Sequence, residues 1–356
     1  MKKRVLVAMS GGVDSAVTAY LLKGAGYEVM GATIKLWTEG SCGFDSPNTL
    51  GALRDIESCQ AVAKKLKIPY YVFDLENEFK KWVIEYFLKE YSRGRTPNPC
   101  VICNSLIKWG FFLERAMEMK ADFIATGHYA KIGFSRNKKR FILKEAEDKE
   151  KDQSYFLFNL SQDKLSRTIL PLGRYNKSEV RKLAEELGLS VYNRTESQDI
   201  CFGFRDNKHF FFSNNFPKIK PGLILNRKGT VLGKHKGIVF YTVGQREGLG
   251  IGWHVPLYVT KIDAKKNVVV VGERNEVLQS CLKAKNLNWV SIDKPKDKIR
   301  VEARIRYRHL KAHATLFPRE DNSVRVVFDT PQFAITPGQA VVFYKKDLVL
   351  GGGWIE

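Results

Sequence analysis

No run in this chain approaches the roughly twenty apolar residues of a membrane span, and the opening MKKRVLVAM is too short for a secretory leader. A soluble, cytoplasmic protein without membrane contact is therefore expected. Acid is scarce: 38 Asp+Glu face 59 Lys+Arg, a formal net charge of +21. Such an excess attracts polyanions and steers their encounter, with nucleic acid the first candidate partner and an anionic membrane surface the second. Cysteine is scarce as well, with six in 356 residues. In a cytosolic chain Cys42, Cys59, Cys100, Cys103, Cys201 and Cys281 are expected to be reduced, reactive or metal-binding rather than a disulfide framework. The phosphate-loop pattern G-x-x-x-x-G-K-[ST] is missing, and so is the second C-x-x-C that a four-cysteine zinc site requires. Internal repeats and low-complexity tracts are absent.

What is present has a clear grammar. RVLVAM, EVMGATIKLW, YYVFDL and DFIATGHYA have the length and apolar content of strands. Between them lie helical patterns. Val13, Ala16, Val17, Tyr20 and Leu21 mark one helix face, and LGALRDIESCQAVAKKL, EFKKWVIEYFLKEY and LIKWGFFLERAMEM supply further helices. Strand–helix alternation implies a parallel sheet covered on both faces, with ligands beyond the carboxyl ends of the strands. FSRNKKRFILKEAEDKEKD reads as an exposed charged hairpin with KKR, Lys138 to Arg140, at its tip. NKSEVRKLAEELGL reads as a helix with Asn176 as N-cap, Glu179 completing a capping box and Gly188 as stop. HFFFSNNF reads as a helix packed between domains. Beyond about residue 220 the pattern becomes short strands and glycine turns. The expected class is α/β, a parallel-sheet domain followed by two small β-rich domains, the last a β-barrel. The boundaries fall at 1–205, 206–275 and 276–356.

Between the first strand and first helix lies SGGVDS, Ser10 to Ser15. Two glycines there let a backbone approach a ligand closely, and a helix N-terminus facing it favours phosphate. Asp14 would repel phosphate unless it holds a bridging Mg²⁺. A tight structural turn with Asp14 as helix cap fits the same residues. The pair Cys100-x-x-Cys103 suits a dithiol couple, part of an iron–sulfur cluster, or inert packing. Farther on, VEARIRYRH places Arg304, Arg306 and Arg308 on one face of a strand, suited to phosphate contact, with Ile305 and Tyr307 on the other. Cys59 and Cys281 read as structural, and no catalytic role is expected of Cys42.

SGGVDS after a first strand resembles the signature of the PP-loop family of N-type ATP pyrophosphatases, which split ATP between α and β phosphates and leave AMP on a substrate oxygen. RTPNPCVICN, ATGHYA, KDQSYFL, LPLGRYNKSEVRKLAEELGL, SQDICF and YTVGQREGLG follow in order, and together with SGGVDS they resemble the tRNA-specific 2-thiouridylase family. The resemblance implies an ATP-dependent sulfurtransferase acting on the wobble uridine of tRNA, with tRNAs for Lys, Glu and Gln as partners and a persulfide donor protein or desulfurase supplying sulfur. It implies that Ala8, Met9, Ser10, Gly11, Gly12, Val13, Asp14 and Ser15 cradle ATP, and that Ile34 and Gly127 line the adenosine pocket. It implies Cys103 as the catalytic cysteine, Cys201 as the persulfide carrier, and Asp14 as needed for adenylation. Asn98, Pro99 and Cys100 would flank the flipped uridine, and His128, Lys151, Asp152, Gln153, Arg306, Tyr307 and Gln339 would contact tRNA. Many relatives carry aspartate where this chain has Cys100, so Cys100, Cys103 and Cys201 could instead hold a [4Fe–4S] cluster. Another PP-loop ligase, or an RNA-binding or redox module without ATP chemistry, are the competing readings. The chain is expected to act as a monomer.

Overall fold

The computed structural model describes residues 2–36, 49–189, 191–192, 200–202, 208–216 and 219–356. Cys42 and the Ser197–Asp199 part of SQDICF lie outside them. The first part of the chain runs through β1 (Arg4–Ala8), α1 (Val13–Gly24), β2 (Glu28–Lys35), α2 (Thr49–Leu66), β3 (Tyr70–Asp74) and β4 (Phe123–Ala125). The strands β5 (Ala130–Ser135), β6 (Arg140–Glu145) and β7 (Thr168–Ile169) follow. A parallel sheet forms in the order β3-β2-β1-β4-β7. Because strand side chains alternate between faces, β1 buries Leu6 with Met30, Ala32 and Ile124 on one side, and Val5 and Val7 with Val17, Val62 and Val180 on the other. Both faces are thus covered, and the carboxyl ends of β1, β2 and β4 share one edge.

The helix Lys177–Glu186 starts as its sequence demands. The Asn176 N–H donates to the Glu179 carboxylate at 2.6 Å, and the reciprocal capping bond is present. In the helix Lys208–Asn215, Phe211 and Phe212 are buried, and Phe212 meets Phe87 on one side and Phe240 on the other. That helix joins the first domain to the second, as expected of HFFFSNNF.

The central unit holds β8 (Gly222–Asn226), β9 (Val231–His235), β10 (Tyr258–Asp263) and β11 (Val268–Gly272), ordered β10-β11-β8-β9 around Ile224, Tyr241, Val259, Val269 and Val271. The last unit holds β12 (Leu278–Asn288), β13 (Ile299–Arg304), β14 (Ala312–Pro318), β15 (Val324–Phe333), β16 (Ala340–Lys345) and β17 (Leu348–Ile355). Its order β12-β15-β14-β13-β16-β17, with β12 also pairing with β17, closes a six-stranded barrel.

Two expectations change here. The charged hairpin exists as β5–β6, but β6 pairs with β17 and extends the barrel sheet, and Leu143 is fully buried. Its Arg140, expected at an exposed tip, is engaged by Asp293 at 2.5 Å and by the Trp289 carbonyl. The basic stripe does not run along one strand, because β13 ends at Arg304 and residues 305–308 turn away. Arg304 points inward to Glu145 and Asp152 at 3.3 Å each. Glu145 also receives Lys149 and Lys311. This ionic cluster locks the hairpin of the first domain to the barrel. A buried pair of this kind specifies an arrangement more than it stabilises one.

Candidate nucleotide loop and thiol site

Met9 to Gly12 carry the chain from the carboxyl end of β1 into α1. Gly11 adopts φ +72°, a region that glycine enters without a Cβ penalty. The Ser10 N–H donates to Ser15 Oγ at 3.1 Å, and that hydroxyl donates to the Gly12 carbonyl at 3.0 Å, so the loop closes on itself. Gly12, not Asp14, is the N-cap, and no side chain caps the first N–H groups of α1. A helix N-terminus left open in this way is suited to receive phosphate. Beneath the loop, Cys59 Sγ accepts the Gly11 N–H at 3.0 Å, and burial pushes its thiol up. Cys59 is core, as expected, and it also supports the loop.

Asp14 is differently placed from a metal ligand. Lys177 Nζ donates to both of its carboxylate oxygens at 2.7 Å, and the Tyr129 hydroxyl donates to Oδ1 at 2.8 Å. The Lys177 ammonium also lies 5.7 Å from the centroid of the Tyr129 ring. Both oxygens are already neutralised, so the residues present do not leave Asp14 free for Mg²⁺. Its carboxylate instead ties α1 to the helix Lys177–Glu186 and to the segment after β4.

That segment presses directly on the loop. A Cβ built on Gly127 would meet Asp14 Cβ at 2.9 Å, the Asp14 carbonyl carbon at 3.0 Å and the Ser15 nitrogen at 3.1 Å. Ile34 lies near the carboxyl end of β2, beside the Met9 strand end, where Thr33 Oγ1 donates to the Met9 carbonyl at 2.9 Å. The next residue after Gly127, His128, is buried, hydrogen-bonded to Thr126 Oγ1 through Nδ1 at 2.8 Å, and 5.5 Å from Trp109 between ring centroids. Burial, aided by the charge of Lys108, holds its pKa well below the usual imidazole range, so it is neutral. An inward, neutral ring at this position is not presented to RNA.

The thiols lie on the next layer. Asn98 caps the helical run 99–118, its Oδ1 accepting the Val101 N–H, with Pro99 in the first turn where a missing N–H costs nothing. Cys100 is half-buried and Cys103 buried on that run. Cys201 retains exposed surface, while its neighbour Phe202 is fixed among Phe79, Phe87 and Phe211. The three sulfurs are close enough for Cys201 to feel both Cys100 and Cys103. Burial raises all three thiols: Cys100 is pushed up to about 11, also by Cys103, and Cys103 rises by burial alone. Cys201 is crowded by chain and pushed up strongly, although its exposed surface tempers that rise. Among the described residues no three His, Cys, Asp or Glu side chains are placed to hold a metal ion. Cluster ligation also needs thiolates, a form that burial disfavours at all three positions. The arrangement does not fit a [4Fe–4S] cluster.

The remaining residues that the resemblance brings to tRNA have structural partners. Gln339 Nε2 donates to the Thr96 and Pro97 carbonyls at 3.0 and 2.9 Å, clamping the strap that leads into Asn98. Asp152 is buried in the ionic cluster and accepts from the Ala146 N–H and Ser154. Gln153 Oε1 accepts the Tyr129 N–H at 3.0 Å, which puts it behind the nucleotide loop, while Lys151 is half-buried beside it. Tyr307 packs on Phe156 with 4.4 Å between centroids. Arg306 donates to the Phe333 carbonyl at 3.1 Å. Arg306 also lines a groove of about 560 Å³ with Arg308, His309, Lys311 and His313, around which Leu310 is 86 % exposed.

Sequence reasoning missed the site roles of Lys177, Tyr129, Cys59 and Lys108. Lys177 carried one signal: it opens a helix, where the macrodipole disfavours a cation unless something anionic faces it. The other three depend on contacts between segments far apart in the chain.

Comparison with known proteins finds matches along the whole chain. Family profiles match residues 3–203 as a tRNA methyl transferase HUP domain, 211–273 as a tRNA methyl transferase PRC-barrel domain and 279–355 as an aminomethyltransferase beta-barrel domain. The tRNA-specific 2-thiouridylase MnmA of Acetivibrio thermocellus is 48% identical over 366 residues, covering 100% of this chain and 99% of that one. The tRNA-specific 2-thiouridylase MnmA 1 of Clostridium botulinum is 48% identical over 358 residues, covering 100% of both. Among solved structures, the U34-tRNA thiolase NcsA from Methanococcus maripaludis with its [4Fe-4S] cluster has a TM-score of 0.36 at 21% identity, covering 61% of this chain and 68% of its own. With relatives of such identity spanning its full length, the chain belongs to the tRNA-specific 2-thiouridylase family.

Proposed function

We propose that the protein is an ATP-dependent tRNA sulfurtransferase that adenylates the C2 oxygen of the wobble uridine and replaces it with sulfur, releasing AMP and pyrophosphate. One observation carries the reading. The Gly127 backbone abuts Asp14 and Ser15 of the nucleotide loop, and the adjacent His128 shares the charge of Lys108 with Cys100, Cys103 and Cys201. This supports a reading in which adenylation and sulfur transfer occur in adjoining parts of one site. A wobble base can reach both only if extruded from its loop.

Cys201, with its exposed surface, is the residue able to accept a sulfane sulfur from a donor protein. Its outer sulfur, having lost its proton, attacks C2 of the adenylated uridine. A C–S bond forms, the C–O bond to AMP breaks, and AMP leaves. Cys103 as thiolate then attacks the Sγ of Cys201. A Cys103–Cys201 disulfide forms, the bond to the transferred sulfur breaks, and the electron pair stays on the sulfur of 2-thiouridine. A dithiol reductant restores both thiols. Asp14 and Lys177 hold the loop over which ATP lies, and Asn98, Pro99 and Cys100 border the base site. Residues 1–205 supply the chemistry, with 206–275 as a spacer and 276–356 as the surface nearest the RNA. Partners are tRNAs for Lys, Glu and Gln and a persulfide donor in the cytoplasm.

Mass spectrometry of tRNA nucleosides after incubation with ATP, Mg²⁺, a cysteine desulfurase and cysteine tests the reading. It should reveal 2-thiouridine together with AMP. AMP and pyrophosphate without a thiolated nucleoside would point to a different PP-loop ligase.

The net charge of +21 makes a second expectation quantitative. Neutralising about six phosphates, an increase in salt from about 50 to 200 mM should weaken tRNA binding by about three orders of magnitude. Filter binding across that range checks it, and an affinity insensitive to salt would refute an electrostatic RNA surface.

A further inference from the structure

One cation at the thiol site has no assigned task. Lys108 is half-buried between the fully buried Ile107 and Trp109, and no carboxylate among the described residues pairs with it. Its location follows from an irregularity in the helix. From Cys103 to Phe111 the helical run is wound as a π-helix, and Trp109 departs from helical dihedrals at φ −101°, ψ 16°. In that winding backbone bonds join residues i and i+5, so Lys108 is brought over Cys103. An α-helix would have placed Leu106 and Ile107 there instead. π-turns recur at functional sites because the inserted residue re-aims a side chain at a cost in backbone regularity.

We propose that Lys108 is the positioning cation of the thiol site, holding Cys103 as the thiolate that releases sulfur to the tRNA. The proposal rests on the sulfurtransferase reading given above. The groups facing Cys103 are few. Cys100 and Lys108 come from its own helical run, Cys201 from the segment 200–202, and neutral His128 from the segment after β4, while Tyr155, with Arg306 beside it, and Tyr307 of the barrel approach on the Cys100 side. For Cys103, burial opposes ionisation and Lys108 is the one charge that favours it. The same ammonium disfavours protonation of His128, so no second positive charge arises to compete for Cys103.

The test reads the sulfur itself, without ATP or tRNA. The pH profile for alkylation of Cys103 by iodoacetamide, followed peptide by peptide by mass spectrometry, is compared in the wild type, Lys108→Met, Lys108→Gln and Lys108→Arg. Removing the charge should raise the midpoint by about one pH unit and slow alkylation at pH 8 about tenfold, while Lys108→Arg should return it to within threefold of wild type. Because the midpoint and not the absolute rate is compared, access to the buried sulfur does not decide the result. Equal midpoints in wild type, Lys108→Met and Lys108→Gln would overturn the proposal, as would a shift in Lys108→Arg as large as in Lys108→Met. Failure of the sulfurtransferase reading is separable, since it would appear as absent 2-thiouridine with the alkylation profiles unchanged.

Discussion

Replacing Cys103 with serine, or Cys201 with serine, should lower tRNA thiolation by about three orders of magnitude or more, while tRNA-dependent release of pyrophosphate in the adenylation step continues for a turnover. A hydroxyl can neither carry a sulfane sulfur nor close a disulfide, whereas adenylation uses the loop at Ser10 to Ser15 and needs no thiol. The two sulfurs act in one sequence of bond exchanges, so their effects should not add: the double variant should be about as inactive as either single one. Cys100→Ser is the informative contrast. Its sulfur takes no part in the exchange between Cys201 and Cys103, and thiolation should fall by less than about tenfold. Nucleoside mass spectrometry for 2-thiouridine and an assay of released pyrophosphate separate the two half-reactions. A Cys103→Ser enzyme that thiolates at the wild-type rate would remove this cysteine from the reaction.

The elements that were legible in the sequence are those specified by local pattern. RVLVAM became β1, EVMGATIKLW contains β2, and Asn176 with Glu179 built the capping box anticipated for them. Each of these follows from contacts within a few residues or from alternation along one strand. The elements misread are those decided by distant partners. VEARIRYRH alternates like one strand, yet Arg304 is drawn inward by Glu145 and Asp152, which lie 159 and 152 positions earlier. The charged hairpin looked exposed because its pairing partner, β17, is some two hundred residues away. Asp14 looked like a metal ligand for the same reason. Its counter-ion, Lys177, lies 163 positions downstream, and a carboxylate at a phosphate loop with no visible partner invites a cation from solution. The thiols illustrate a third limit. Spacing identifies a pair, Cys100 and Cys103, but the π-winding that aligns Lys108 with Cys103 leaves no periodicity to read over nine residues.

Gly127→Ala should reduce tRNA-dependent AMP formation by about a hundredfold while leaving tRNA affinity within about threefold. The added methyl would stand 2.9 Å from Asp14 Cβ, 3.0 Å from the Asp14 carbonyl carbon and 3.1 Å from the Ser15 nitrogen. None of these atoms is the end of a flexible side chain, so the clash cannot be relieved by a rotamer change. Either the segment after β4 or the first turn of α1 must shift by several tenths of an ångström. Asp14 resists because Lys177 and Tyr129 hold it, and Ser15 resists because its hydroxyl closes the loop onto Ser10 and Gly12. Misplacing a phosphate-holding backbone by such a distance spoils the alignment that makes adenylation effectively intramolecular. Overpacking of this kind should also cost about 1–3 kcal/mol of stability, which thermal unfolding would register. Gly133→Ala serves as the control, because its methyl would meet Ile142 at 3.6 Å, an ordinary contact, on a strand of the hairpin away from the loop. Loss of AMP formation in Gly127→Ala but not in Gly133→Ala locates the effect at the nucleotide loop. Wild-type AMP formation in Gly127→Ala would mean that the close packing of residues 14, 15 and 127 is not what aligns the phosphates.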